Sequence, residues 1–255
     1  MENCKPVSTP LEPGRKFQQL SEGDEPFDVQ TYQRAIGCLT YMSTVTRPDI
    51  AAAVGVLSQY MSRSSKDHWI GVKHVLRYLK GTLMYGLKFS AYEEEPELFG
   101  YSDADWAGDV DTRRSTSGYV FQIGSSTVSW SSKKQATVAK SSTEAEYVAL
   151  SSATQEAVWL RSLMGDLERQ MDALTTIYMY EDNQGAIELA KNAKYHNRTK
   201  HIDICHHFVR ERVVSNEIQV IYCPTGDMIA NIMTKGLAKL AFEKLRDLLG
   251  VHDIM

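Results

Sequence analysis

The sequence lacks the excess of positive charge that is typical of proteins binding nucleic acid through charge alone. Its 255 residues include 28 Lys and Arg against 32 Asp and Glu, which gives a formal net charge of -4. Any contact with nucleic acid would therefore have to be made by local basic patches and not by the surface as a whole.

The chain is also poor in cysteine and in long apolar runs. Its 4 cysteines are far apart and form no Cys-x-x-Cys pair, which argues against a disulfide framework and against a common type of zinc site. The sequence shows no signal-peptide pattern, and no uncharged apolar stretch approaches the ~20 residues of a membrane span. We therefore expect a soluble, intracellular protein of a reducing compartment that makes no membrane contact. The composition gives no indication of an oligomeric state.

Residue patterns divide the chain near residue 95. The first thirty residues contain four prolines and an acidic run, which predicts an extended, solvated segment. Apolar residues at helical spacing then predict helices over Asp49–Met61 and Lys66–Lys80, and the acidic stretch Tyr92–Glu97 predicts a hinge. Residues 1–95 are therefore predicted to form a lead-in and a small helical segment.

Residues 96–255 show a different pattern, in which short strands alternate with helices. The predicted strands are Leu98–Asp103, Gly118–Ile123, Thr127–Trp130, Thr176–Tyr180 and Ile218–Cys223. The predicted helices are Thr143–Leu167, Gln184–Lys191, Ile202–Val214 and Asp227–Leu249. This order predicts an α/β fold, with a mixed five-stranded sheet flanked by helices and preceded by the small helical segment.

Acidic residues interrupt this apolar pattern at three informative places. Asp103 closes the first predicted strand and Asp182 follows the fourth, and the ends of neighbouring strands share one crevice. The buried stripe of the long helix, extended backwards by one turn, reaches Glu146 and not Glu144. The alternative is structural: the aspartates cap strands or helices, and Thr143 with Glu146 forms a capping box.

Three carboxylates from two strand ends and a helix start would suit Mg²⁺, which prefers oxygen ligands. Two such ions roughly 3.5–4 Å apart can activate water and stabilise a leaving oxygen in phosphodiester hydrolysis. The residues therefore predict a metal-dependent hydrolytic site at this edge of the sheet.

Six short motifs resemble, in order, the ribonuclease H domain of copia-type retrotransposon polyproteins. They begin at Tyr101 (Tyr-Ser-Asp-Ala-Asp-Trp-Ala-Gly), Arg114 (Arg-Ser-Thr-Ser-Gly-Tyr-Val-Phe), Trp130 (Trp-Ser-Ser-Lys-Lys-Gln), Ser141 (Ser-Ser-Thr-Glu-Ala-Glu-Tyr), Glu181 (Glu-Asp-Asn-Gln) and Arg198 (Arg-Thr-Lys-His-Ile-Asp-Ile). Upstream, Tyr32–Gly37 and Thr46–Thr82 resemble the thumb or connection segment that follows the reverse-transcriptase palm in those polyproteins. The polymerase's own Tyr-x-Asp-Asp turn is absent from the sequence.

The resemblance implies a ribonuclease H-like fold and a Mg²⁺-dependent endonuclease that cleaves the RNA strand of RNA–DNA hybrids. It implies two Mg²⁺ ions, for which Mn²⁺ could substitute, held by Asp103, Glu146 and Asp182. The fourth acid of the family falls at Asn231, an amide that brings no charge, and Asp227, one helical turn earlier, could partly take its place. The implied partners are a hybrid and the palm of the same polyprotein.

Basic residues near these acids are candidates for contacts with the phosphates of the hybrid. Their side chains could equally belong to ordinary solvated loops. They are Arg113, Arg114, Lys133, Lys134, Lys140, Arg198 and Lys200. A zinc site at His201, Cys205, His206 and His207 would have an unusual spacing.

Two other functions remain open on the sequence. Because Asn231 removes a charge, the chain could be a catalytically impaired or inactive remnant that acts only as a binding or structural domain. A DNA-cutting transposase or integrase of the same fold is disfavoured, since its acids usually run Asp, Asp, Glu, whereas this chain has Asp103, Glu146, Asp182.

Overall fold

The structure is a computed structural model, which describes residues 1, 3–90, 97–167, 176–192 and 200–254, without the side chains of 200–204 and 206. The N-terminal part is mostly helical and ends in a short strand. Its elements are α1 (Val29–Val45), a 3₁₀ turn (Pro48–Ile50), α2 (Ala51–Ser58), α3 (Lys66–Gly81) and β1 (Tyr85–Leu87). No helix in the described part of the chain is both long enough and apolar enough to cross a membrane.

Strands and helices alternate in the rest of the described chain. The elements are β2 (Leu98–Asp105), β3 (Thr116–Ile123), β4 (Ser126–Lys134), α4 (Ser142–Leu167), β5 (Ile177–Glu181), α5 (Gln184–Lys191), α6 (Lys200–Val214), β6 (Ile218–Tyr222), a 3₁₀ turn (Ile229–Met233), α7 (Lys239–Leu248) and β7 (Val251–Asp253). All five predicted strands and the first three predicted helices of this part are confirmed within a few residues.

Five of these strands form one mixed sheet in the order β4-β3-β2-β5-β6. The pairs β2–β3 and β3–β4 are antiparallel, whereas the pairs β2–β5 and β5–β6 are parallel. Tyr101 of β2 lies opposite Tyr180 of β5, so that Asp103 and Asp182, two residues further along each strand, come to adjacent strand ends. The predicted fold class, a mixed five-stranded sheet flanked by helices and preceded by helices, is confirmed.

Two short strands that the sequence did not predict join the beginning and the end of the fold. In β1 and β7, Tyr85 pairs with Asp253 and Leu87 with Val251, in antiparallel register. Each strand is three residues long, which is too short to show a periodic pattern. One hydrophobic core also contains residues from both sides of position 95, among them Tyr32 and Phe242. The boundary at residues 95 and 96 stays a prediction.

The lead-in is not the solvated segment that its prolines predict. Leu11 and Phe17 are buried in the core that α3 also helps to form. Side chains of α3 hold the backbone of the lead-in, because Arg77 donates to the Lys5 carbonyl at 2.8 Å and Lys80 to the Cys4 carbonyl at 2.9 Å. These bonds join residues more than seventy positions apart, which local composition cannot reveal.

The predicted helix Asp227–Leu249 is wrong in its first half. A 3₁₀ turn replaces it over Ile229–Met233, and α7 begins only at Lys239. Gly236 lies between the two, where a Cβ would stand 2.8 Å from the Glu12 carbonyl oxygen. The chain passes too close to the lead-in there for an ordinary helical side chain. The predicted hinge lies mostly outside the described residues.

Candidate metal centre and active site

The structure brings three of the predicted site residues together. Asp103 lies near the end of β2, Glu146 in the second turn of α4, and Asp182 directly after β5. One carboxylate oxygen of each lies within 4.8 Å of the other two. Residues that are far apart in the chain therefore form one compact group of acids at the end of the sheet.

Asp103 is almost fully buried and held from one side. The Thr234 hydroxyl donates a hydrogen bond to its Oδ2, and the Lys235 ammonium lies 3.6 Å from the same oxygen. Burial raises the pKa of the Asp103 carboxyl, and Lys235 opposes that shift. Among the ion pairs of the described residues, the pair between Lys235 and Asp103 is the one that involves a member of the three-acid group.

Glu146 is buried with one oxygen unused. The residue is only 7% exposed, and its Oε2 has no hydrogen-bond partner in the described part of the chain. Burial, and then the neighbouring carboxylates led by Glu181, raise the pKa of Glu146 to about 10. A buried carboxyl oxygen without a donor is costly, and a cation would offset that cost.

The first turn of α4 is capped by other residues. The Glu144 N–H donates to Ser141 Oγ at 3.1 Å, and the Lys140 N–H donates to the Glu144 carboxylate at 3.0 Å. The Thr143 hydroxyl instead donates to Asn183 Oδ1. The capping box between Thr143 and Glu146 is therefore not formed, and helix capping does not explain the inward position of Glu146.

The remaining acid is positioned by the loop after β6. The Thr225 hydroxyl donates to Asp182 Oδ2 at 2.7 Å, and Thr225 in turn accepts from the Asn231 side-chain amide at 2.9 Å through its carbonyl. Asn231 is 3% exposed, and its Oδ1 has no hydrogen-bond partner among the described residues. Asn231 is thus linked to Asp182 through Thr225, and it carries an unused buried oxygen.

Asp227 does not take the place of the missing acid. It is exposed and pairs with Lys244, whose ammonium lies 2.6 Å from its carboxylate. It also lies outside the group of acids whose ligand atoms converge. The proposed substitution of Asp227 for the fourth carboxylate is therefore wrong, because this side chain turns to solvent and to a cation of its own.

A further buried acid, Glu181, was missed by the sequence reasoning. It closes β5 with an exposed fraction of 0%, accepts from the Ser102 hydroxyl at 2.8 Å and accepts from the Asn183 N–H at 3.2 Å. Burial raises the pKa of its carboxyl well above the ordinary value. The alternation of Ile177, Met179 and Glu181 along β5 was the signal that could have placed it on the inner face.

The donor set fits a hard divalent cation. It consists of carboxylate oxygens, it is largely buried, and it includes an oxygen of Glu146 that no protein group satisfies. Mg²⁺ and Mn²⁺ take such oxygen ligands. The geometry therefore suits a divalent ion better than a purely structural acid cluster, whose members would be paired with protein donors.

The predicted phosphate contacts differ in their environments. The Lys134 ammonium lies 2.9 Å from Asp109 and is already in an ion pair. Within the described part of the chain, the other loop cations form no ion pair with an acid, and they are half-buried or exposed: Arg113, Arg114, Lys133 and Lys140. Arg198 lies outside the described residues, and the side chains of Lys200, His201 and His206 are not described either.

Comparisons with known proteins place the chain among transposon polyproteins. It is 41% identical over 261 residues to the retrovirus-related Pol polyprotein from transposon TNT 1-94 of Nicotiana tabacum, with 99% of this chain and 19% of that protein covered. It is 41% identical over 254 residues to the Pol polyprotein from transposon RE2 of Arabidopsis thaliana, with 100% of this chain and 17% of that protein covered. No family model matches the chain.

The structural comparison gives partial alignments to solved proteins. A foamy viral protease-reverse transcriptase in complex with an RNA/DNA hybrid aligns with a TM-score of 0.49 and 13% identity, over 77% of this chain and 25% of that one. LC11-RNase H1, isolated from compost, aligns with a TM-score of 0.39 and 17% identity, over 58% of this chain and 96% of that one. The sequence relatives are the stronger result, and this chain spans about a fifth of their length. The chain therefore belongs to the copia-type family of retrotransposon Pol polyproteins and corresponds to one segment of them.

Proposed function

We propose that the chain is a divalent-metal-dependent ribonuclease H module of a retrotransposon reverse transcriptase, which hydrolyses the RNA strand of RNA–DNA hybrids. The observation that carries this proposal is the convergence of Asp103, Glu146 and Asp182 within 4.8 Å, with a buried oxygen of Glu146 left unsatisfied. The homology to Pol polyproteins supports the connection with reverse transcription.

In this function Asp103, Glu146 and Asp182 would hold Mg²⁺, and Mn²⁺ could substitute. When bound, two such ions supply an activated water and stabilise the leaving oxygen of the phosphodiester. The amide oxygen of Asn231 would be a neutral donor at the fourth position. It brings no charge, so the three carboxylates would carry most of the affinity for the metal.

The other residues of the site act on these acids. The Thr234 hydroxyl holds Asp103, and the Thr225 hydroxyl holds Asp182. The burial of Asp103 and Glu146 excludes water and strengthens every electrostatic interaction at the site. Lys235, beside Asp103, is partly exposed and is suited to attract the negatively charged backbone of the substrate.

The substrate in this proposal is an RNA–DNA hybrid, and 2′-hydroxyl contacts would identify its RNA strand. The exposed Lys133, Lys140 and Arg113 are candidates for phosphate contacts, since phosphates attract such cations. The palm of the same polyprotein would be the second partner. This chain would act in a retrotransposon particle in the cytoplasm, and then in the nucleus.

A second candidate function rests on Asn231. Because its amide donates to the Thr225 carbonyl, it fits its surroundings as a structural residue. A module that has lost catalysis would still fold and bind a hybrid or a polymerase domain. This alternative differs from the first in the reaction alone, and so one assay separates the two.

The assay is cleavage of a labelled RNA–DNA hybrid by the whole chain in Mg²⁺, in Mn²⁺ and in chelator. Duplex DNA is the control substrate, and Asp103→Asn is the control variant. We expect metal-dependent cleavage of the RNA strand, lost in the variant. Binding without cleavage in either metal would favour the inactive module, and equal cleavage of duplex DNA would indicate a DNA-cutting enzyme.

A further inference from the structure

We propose that Glu181 supplies the negative charge that the metal centre lacks at position 231, as an outer carboxylate that positions the site without ligating the ion. This inference rests on the proposed function, because it requires a divalent ion among Asp103, Glu146 and Asp182. It adds a residue that the three-acid group does not contain.

The position of Glu181 connects it to both strands that carry aspartate ligands. Its carboxylate accepts from the hydroxyl of Ser102, the neighbour of Asp103 in β2, at 2.8 Å. It also accepts from the N–H of Asn183, the residue after Asp182, at 3.2 Å. A movement of Glu181 would therefore be transmitted to both strand ends.

Its burial calls for a cation that the described residues do not provide. The carboxylate is fully buried, and both of its hydrogen-bond donors, a hydroxyl and a backbone amide, are neutral. No ion pair in the described part of the chain involves Glu181. A buried carboxylate without a counter-charge is costly, and a divalent ion nearby would offset that cost.

The charges close to Glu181 are those of the site itself. Glu181 ends β5 directly before Asp182, and its two hydrogen-bond donors are the chain neighbours of Asp103 and of Asp182. In the absence of a metal, ionising these acids together is unfavourable, because their negative charges repel one another. A bound divalent ion would be attracted by all of them, and so Glu181 should favour the metal-bound state over the metal-free state.

Asn231 explains why a further charge is useful. The three converging acids alone bring less charge than two divalent ions, and the amide at position 231 adds none. Glu181 shares its strand face with Met179, which packs in one core with residues of α4. The 3₁₀ turn that carries Asn231 packs in a separate core through Ile229, Ile232 and Met233. The charge is thus restored from a different direction, at a distance and not by ligation.

The rival explanation is that Glu181 only ties β2 to β5 through Ser102. That role predicts the same loss of stability with and without metal. The role proposed here predicts a change in metal affinity, which is a separate measurement. Outer residues that orient metal ligands typically contribute about 10–100-fold to metal affinity.

The test uses the whole chain and three variants: Glu181→Gln, which removes the charge, Glu181→Asp, which keeps it, and Glu156→Gln as a control. Glu156 is matched because it also accepts from a serine hydroxyl of the sheet, Ser129 at 2.6 Å, away from the three acids. Mg²⁺ and Mn²⁺ affinities are measured by calorimetry, and melting temperatures with metal and in chelator.

We expect Glu181→Gln to bind Mg²⁺ about tenfold or more weakly, and to show a smaller metal-induced rise in melting temperature. Glu181→Asp should recover most of the affinity, and Glu156→Gln should bind as the unaltered chain does. Adding Asn231→Asp to Glu181→Gln should also recover affinity, because it returns a negative charge to the site.

An unchanged Mg²⁺ affinity in Glu181→Gln would overturn the inference, as would an equal drop in melting temperature with and without metal. If Glu181→Gln does not fold, the variant Ser102→Ala takes its place in the test. It removes the hydroxyl that holds the Glu181 carboxylate, and so it should weaken metal binding by a few fold. Unchanged metal binding in Ser102→Ala would again overturn the inference. An unaltered chain that binds no metal would contradict the proposed function as well, whereas one that binds metal and cleaves would leave that function standing.

Discussion

Thr234 donates a hydrogen bond from its hydroxyl to the carboxylate of Asp103, across a separation of 131 residues in the chain. The same hydroxyl lies 3.2 Å from the Asn231 carbonyl oxygen. The turn that follows Asn231 therefore fixes the orientation of an acid on the central strand β2.

Removing this hydroxyl should impair the site. Hydrogen bonds to charged groups contribute about 1.5–3 kcal/mol, so we expect Thr234→Val to lower cleavage of a hybrid by about tenfold or more. Thr234→Ser keeps the donor and should retain most activity. The measurement is initial cleavage rate at saturating Mg²⁺, and equal rates for the two variants would show that the hydroxyl does not orient Asp103.

Glu146 and Glu144 form a matched pair on α4. Glu146→Gln should abolish cleavage, since it removes a proposed ligand, and a loss of several kcal/mol corresponds to a rate lower by about a thousandfold or more. Glu144→Gln should keep most activity and lose up to about 1 kcal/mol of stability, because Glu144 supports the helix start. Cleavage rates and chelator melts check both, and equal loss of activity would contradict the assignment.

The buried carboxyls also predict how metal-free stability depends on pH. The pKa of Glu146 rises from 4.5 to about 10 on folding, so its contribution to stability is complete below the unfolded value and is lost as pH rises toward the folded one. Each such carboxyl lowers the free energy of unfolding by up to about 1.4 kcal/mol per pH unit within that window.

We therefore expect the melting temperature in chelator to fall steadily between about pH 5.5 and about pH 8.5. Glu146→Gln should make this fall shallower, since the amide does not titrate. Saturating Mg²⁺ should offset the fall, because ionised carboxylates bind the ion better at higher pH. A metal-free melting temperature that rises over this range would contradict the predicted direction.

Two adjacent lysines of β4 should behave differently. Lys133 is exposed, whereas Lys134 is paired with Asp109. We expect Lys133→Gln to weaken hybrid binding without loss of stability. The slope of log affinity against log salt concentration should become smaller by about one, which corresponds to one lost phosphate contact. Lys134→Gln should instead destabilise the fold by roughly 1 kcal/mol, because Asp109 loses its ion pair and keeps only its hydrogen bonds from Thr112. Filter binding at several salt concentrations, together with melts, tests the pair.

The sequence predicted the elements that carry a long or regular pattern. Alternation located the strand that carries Asp103 and the strand that leads into Asp182. The apolar stripe of α4 distinguished Glu146 from Glu144, and the burial of these two residues differs as expected. These predictions succeeded because each strand or helix buries one face, and that face is visible in local spacing.

What depended on distant contacts could not be predicted. The sequence did not predict the helix α1. Its buried face is narrow, with one buried residue per turn, and its last member is a serine: Tyr32, Ile36, Leu39 and Ser43. The strands β1 and β7 gain their pairing only from each other. Glu181 was missed because its partner Ser102 lies 79 residues away, and a carboxylate beside Asp182 resembles an ordinary polar strand end.

Restoring the acid at position 231 should strengthen the metal site and weaken the metal-free fold. In Asn231→Asp, the new negative charge adds to the field that attracts a divalent ion. We therefore expect half-maximal cleavage at a lower Mg²⁺ concentration, and a higher cleavage rate at low Mg²⁺. The same change removes the amide that donates to the Thr225 carbonyl. A carboxylate facing that carbonyl, and the repulsion of nearby acids, should cost about 1–3 kcal/mol of stability in chelator.

The two effects are separated by a Mg²⁺ titration of hybrid cleavage and by thermal melts in chelator, with Asn231→Ala as the control. Alanine also removes the donor to Thr225 but adds no charge, so it should lose metal-free stability without gaining metal affinity. If Asn231→Asp and the unaltered chain respond equally to Mg²⁺, position 231 does not contribute to the metal site, and its role is to hold Thr225 against Asp182. If only the aspartate variant cleaves, the amide has inactivated an otherwise complete site.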